Sequence, residues 1–120
     1  MPYITILGMP TGTEQDKLEA LTELIQQSVA RVPVLDIPAE EVFVFYQPDL
    51  QEAGLGEELG AKIEGLFQKP ERTTEVLQDL QVAVCDCLKQ FAEAELPQCT
   101  CVEAFINTMI PPEHCTIVSL

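Results

Sequence analysis

The chain has 120 residues, of which 20 are acidic and six basic, a formal charge of −14. A surface of that sign excludes nucleic-acid backbones and anionic membranes as partners. The 47% hydrophobic content excludes a disordered chain and fits one domain with one core.

No apolar run approaches the roughly 20 residues that span a bilayer, and the first residues lack the basic and apolar regions of a signal peptide. The expectation is a cytoplasmic protein.

Tyr3 to Leu7 are aromatic, β-branched or aliphatic throughout, and Gly8 closes the run, so a buried strand is expected at once. Pro2 stands at its head. Aminopeptidases remove an initiator Met that precedes a small residue such as Pro, which would leave a secondary amine on a core strand. Partial desolvation lowers the pKa of such an amine and makes it a base near neutral pH. The plainer reading is that Pro begins a strand where no ladder donor is needed.

Pro10 to Glu14 form a turn into a helix, with Thr11 and Glu14 placed for a capping box and Thr13 as a competing cap. Leu18, Leu21, Leu24, Ile25, Val29 and Val32 mark the apolar face of that helix, and Pro33 ends it. Val42 to Tyr46 form a second strand. The crossover between the two strands is long enough for parallel pairing.

Gln47 to Gly60 reads as a connecting loop, rich in Gly and carboxylates, with a helical turn at most. A third strand follows over Ala61 to Phe67, interrupted by Lys62 and Glu64. A second helix has its core face on Val76, Leu77, Leu80, Ala83, Val84, Cys87, Leu88 and Phe91. A fourth strand runs roughly from Thr100 to Thr108, and Cys115 to Val118 have the composition of a short edge strand.

The halves match. Leu21 and Leu80, Ile25 and Val84, Val29 and Leu88, and Pro38 and Pro97 are each 59 positions apart. The single domain 1–120 therefore reads as two βαβ pseudo-repeats, over about 1–47 and 60–109. The fold class is α+β: a four-stranded mixed sheet with two helices on one face. The alternative with the same element order is a ferredoxin-like module, which joins its central strands by a compact hairpin; fourteen residues from Gln47 to Gly60 are long for one. Ile4, Ile6, Val44 and Phe105 exceed what two helices hide, so an uncovered apolar face and self-assembly are expected.

Five cysteines include two C-x-C pairs, Cys85/Cys87 and Cys99/Cys101. The first pair points about 200° apart around a helix. The second shares one face of a strand, without the turn a zinc site prefers. No metal and no cofactor are expected, and the thiols read as small buried hydrophobes. The cations Lys17, Arg31, Lys62, Lys69, Arg72 and Lys89 are the only side chains able to hold an anion.

With these elements in order, the chain resembles the tautomerase superfamily, in particular the branch like macrophage migration inhibitory factor. The resemblance spans nearly the whole chain. Tyr46-Gln47-Pro48-Asp49 is similar to a Pro-Asp pair after that factor's second strand. Phe105-Ile106-Asn107 is similar to a Tyr-Ile-Asn triplet lining its pocket, and Lys69-Pro70 to an Arg-Pro-Arg segment of the decarboxylase branch.

The resemblance implies a homotrimer with pockets between subunits, and a proton moved next to the carbonyl of a small keto or enol acid. The base would be Pro2, after Met1 removal. Lys69, Arg72, Phe105 and Asn107 would bind the substrate, the cations and Asn107 facing the developing enolate. Nucleic acid and membranes are not expected partners. Two departures stand out: Met9-Pro10-Thr11-Gly12 has no cation where dicarboxylate tautomerases carry an Arg, and Phe105 lacks the tyrosine hydroxyl. The other readings are a non-catalytic trimer of this fold binding a small molecule or protein, and the ferredoxin-like regulatory module.

Overall fold

The computed structural model describes residues 2–48 and 57–120; Met1, and most of the connecting loop with Asp49 of the Pro-Asp string, lie outside them. Strand β1 covers Tyr3–Met9, helix α1 Gln15–Ala30, strand β2 Phe43–Pro48, strand β3 Glu58–Glu64, helix α2 Thr74–Glu95 and strand β4 Cys101–Ile106. The sheet order is β2-β1-β3-β4. β1 pairs parallel with β2, antiparallel with β3, and β3 pairs parallel with β4. Each half is thus a βαβ unit whose parallel strands are direct neighbours. A ferredoxin-like module splits its parallel pair, so that alternative is excluded.

Strand parity decides what each face carries, because alternate side chains point to opposite sides. Ile4 and Ile6 of β1 and Leu59, Ala61 and Ile63 of β3 are fully buried. They lie under Leu21, Ile25 and Val29 of α1 and Leu80, Val84 and Leu88 of α2, all buried as well. The helices touch over this face: the Cys87 thiol donates to Ser28 Oγ at 3.2 Å and packs near the Leu24 carbonyl. Burial of the four large aliphatic side chains among them, Ile4, Ile6, Leu59 and Ile63, stabilises by roughly 1.5–3 kcal/mol each.

Of the four residues expected to exceed what the helices hide, Ile4 and Ile6 belong to the covered face, and Val44 is half-buried on that side. The uncovered face carries the odd-numbered residues of β1 and β2. Tyr3 stacks on Phe43 and Phe45 there, ring centroids 5.7 and 6.1 Å apart. Thr5 stands between Phe45 and Lys62, and Lys62 beside Phe105. The apolar patch is real, but aromatic residues make it, not isoleucines.

Several boundaries differ from the sequence reading. β1 continues through Gly8, which takes φ +85 and shifts the register between Leu7 and Met9. A Cβ at Gly8 would meet the Glu58 carbonyl oxygen at 2.5 Å, so the residue is a bulge and not a terminator. β3 starts at Glu58, three residues early, and Lys62 and Glu64 do not interrupt it: they occupy the uncovered face, ion-paired at 3.4 Å.

The capping box before α1 is not formed. The Thr13 hydroxyl donates to the Pro10 carbonyl at 2.8 Å, and Glu14 caps without a side-chain bond. Cys99 precedes β4, so it shares no strand with Cys101. Cys115 to Val118 pair with no strand among the described residues; the chain after β4 instead makes a bridge between Phe67 and Ile110 and a 3₁₀ turn at Pro112–His114.

Candidate functional site

One end of the sheet gathers most of the residues singled out in the sequence. Tyr3 pairs with Glu64, so Pro2, one step before β1, faces the exit from β3 at Gly65. Pro2 is buried, and its carbonyl accepts the Phe43 amide at 3.1 Å. The Asn107 amide donates to the Ile63 carbonyl at 2.9 Å, which fixes the exit from β4 at the same end. Gln68 and Ile110 then tie the two exits together, through Gln68 N–H to the Ile110 carbonyl and Ile110 N–H to the Leu66 carbonyl.

Arg72 sits in this end and is only 8% exposed, the one buried charged residue among those described. Its Nη1 donates to the Phe67 carbonyl at 2.7 Å, closing the turn that carries Lys69. Its Nε is buried with no hydrogen-bond partner among the described residues. Burial lowers the guanidinium pKa, and the Asp36 and Glu71 carboxylates oppose that shift. Even so, an arginine stays protonated across the working range. The arrangement holds a fixed positive charge at the sheet end with donor capacity unspent.

Lys69 is exposed on the same turn. Asn107 is exposed beyond β4. Phe105 is different: it stands 38% exposed on the uncovered sheet face, level with Lys62. Pro2 follows the parity of Ile4, on the covered side. The structure thus brings Pro2, Arg72, Lys69 and Asn107 to one end and leaves Phe105 on the opposite face of its own chain.

Asp36 was not singled out in the sequence. It has φ +57, and the nearby Val34 has φ +72, a conformation unfavourable for a β-branched residue. Backbone strain of this kind costs on the order of 1–3 kcal/mol per residue. The Asp36 charge opposes the fall in the Arg72 pKa that burial causes. The available signal was weak: Asp tolerates the left-handed region, and it lies between two apolar residues that are both buried.

Three open grooves lie elsewhere. About 680 Å³ lies between α1 and β2, about 400 Å³ between the helices, and about 300 Å³ between α2 and β4. Their walls do not include Pro2, Lys69, Arg72, Phe105 or Asn107. Among the described residues no group of three or more His, Cys, Asp or Glu is placed to hold a metal ion, and no helix is long and apolar enough to cross a membrane.

Two linked parallel βαβ units with both helices on one face recur in solved structures of low sequence identity. A fused 4-OT, a wild-type asymmetric trimer, matches over 91% of this chain and 86% of its own at 13% identity, TM-score 0.70. N1, a member of the cis-3-chloroacrylic acid dehalogenase family, matches over 96% and 79% at 17% identity, TM-score 0.69. FG41 malonate semialdehyde decarboxylase inhibited by 3-bromopropiolate matches over 99% and 89% at 16% identity, TM-score 0.64. No family model and no curated protein matches the chain by sequence. At these identities the likeness establishes the fold.

Proposed function

We propose that this protein transfers a proton next to the carbonyl of a small keto or enol acid, with Pro2 as the base once Met1 is removed. The observation that carries the reading is the convergence of Pro2, a buried and under-partnered Arg72, Lys69 and Asn107 at one sheet end. Burial disfavours the charged form of a secondary amine, and positive charge at the same sheet end acts in the same direction. Neutral Pro2 nitrogen takes the proton from the carbon alpha to the carbonyl and returns it to the enolate at oxygen or at a conjugated carbon. Arg72 and Lys69 hold the substrate carboxylate, and Asn107 donates to the developing enolate oxygen.

The protein works as a homotrimer in this reading. The structurally similar 4-OT is a trimer, and the Tyr3, Phe43, Phe45 and Phe105 face is uncovered in the single chain. Phe105, turned away from its own Pro2, then walls a site only by way of a neighbouring copy. The strings at Phe105 and Lys69 support a migration-factor-like or a decarboxylase-like variant of the same proton chemistry. The second reading, a trimer that binds an anionic small molecule without turning it over, is favoured by the Phe105 hydroxyl loss.

The test is turnover of a panel of enolisable 2-keto acids by protein whose Met1 removal is verified by mass. The expected result is measurable ketonisation, lowered at least 100-fold in Pro2→Ala with the trimer mass unchanged. No turnover, with keto acids still bound, would replace the enzyme reading by the binding module.

A further inference from the structure

The helix side of the molecule carries an open groove of about 400 Å³. The helices run antiparallel along it, since Lys17 pairs with Glu95 at one end and Ser28 meets Cys87 further on. α1 lines the groove with Leu24 and its C-capping Arg31, and α2 with Asp79, Val82 and Asp86 at helical spacing.

The centre of the groove is apolar where a solvent-facing helix surface is ordinarily polar. α2 buries Leu80 and Val84 and shows Val82 between them, 58% exposed. Pro33 extends the apolar wall past the end of α1. Val34 follows it directly, 61% exposed and held at φ +72.

The charges around that centre are unspent. Lys17, Lys62 and Lys89 each pair with a glutamate of their own chain, and Arg72 is buried. Arg31 is exposed in the groove and makes no ion pair among the described residues; neither do the exposed Asp79 and Asp86. Both halves of an ion pair therefore stand open beside one apolar patch. A partner of a single sign would leave one half unmatched. A second copy matches both, because in a two-fold contact residue i meets j while j meets i.

The net charge of −14 does not forbid such a pair. Screening at physiological salt acts over about 8 Å, so distant carboxylates count for little and charges in contact decide. The aromatic patch of Tyr3, Phe43 and Phe45 lies on the sheet face away from the helices. Docking through the helices is thus separate from the trimer in the reading above and does not depend on it.

We propose that the groove between α1 and α2 docks the same groove of a second copy of this chain about a two-fold axis, with Val82 in the apolar centre and Arg31 of each copy meeting Asp86 of the other. The patch is small, which places the contact in the weak, concentration-dependent class.

Sedimentation equilibrium of the full chain from micromolar to millimolar concentration tests this, with Val82→Arg as the undocked reference. All three positions are exposed, so the variants keep the core; circular dichroism checks it. The wild type should reach twice the mass of the reference, whatever unit the reference forms. Arg31→Glu and Asp86→Arg should each weaken pairing at least tenfold. An equimolar mixture of these two variants should pair again, because each reversed charge then meets its opposite across the contact. A wild type with the mass of Val82→Arg at millimolar concentration overturns the proposal. So do single charge variants that pair like wild type, or a mixture that stays unpaired.

Discussion

Arg72→Met separates a binding arginine from a structural one. The substitution keeps an unbranched apolar stem and removes five donors and the charge. It loses the 2.7 Å bond to the Phe67 carbonyl, worth about 1.5–3 kcal/mol for a charged donor. It also removes a buried Nε that has no partner, whose desolvation costs about 1–3 kcal/mol. The two nearly cancel, so stability should change by no more than about 1 kcal/mol, or about 4 °C in Tm for a domain of this size. Binding has no such compensation. Losing a charge-assisted bond to a carboxylate should lower kcat/KM about 10- to 100-fold, mostly through KM. Calorimetric Tm and keto-acid kinetics on the same preparation measure both. A Tm fall beyond about 10 °C with KM unchanged would refute the reasoning and make Arg72 a structural brace.

Two further outcomes follow from the same geometry. Val34 is 61% exposed with φ +72; Val34→Asn should raise stability by about 0.5–1 kcal/mol in urea unfolding, since Asn accepts that conformation at lower cost. Burial raises the Cys87 thiol pKa above its ordinary 9.0. Above that pH the unfolded chain ionises first and binds fewer protons than the folded one, so stability falls as pH rises from about 9 until the folded thiol also ionises. Cys87→Ala should flatten that alkaline decline relative to wild type, measured by Tm between pH 8 and 10.

What the sequence made legible was whatever repeats locally. The helix faces of Leu21, Ile25 and Val29, and of Leu80, Val84 and Leu88, obey a 3.6-residue period and are buried as read. The parallel pairing of β1 with β2 follows from a strand, a long crossover and a strand. Gly8 and Gly60 misled, because glycine signals both turns and strand bulges; Gly60 is in mid-strand, packed beside Leu7 and Glu103. Which of Ile4, Ile6, Val44 and Phe105 face the helices was not legible, because the neighbours Tyr3 and Thr5 also suit a strand and alternation gave no contrast.

The candidate site was half legible. Pro2 stood out chemically, and Lys69 and Arg72 stood out because cations are scarce. That Arg72 is buried with its Nε unpartnered is a tertiary outcome with no periodic signature. Phe105 lies on the face away from its own Pro2 because β4 parity, not proximity along the chain, sets its direction.

The role of Pro2 is tested most directly by blocking its nitrogen. Protein with Met1 removed should be acetylated selectively at Pro2, the modification located by mass, and its kcat/KM for a 2-keto acid compared with the untreated sample. An amide nitrogen has no useful basicity, so activity should fall at least 100-fold with the oligomer and Tm unchanged. Turnover that survives complete acetylation would contradict proton transfer by Pro2.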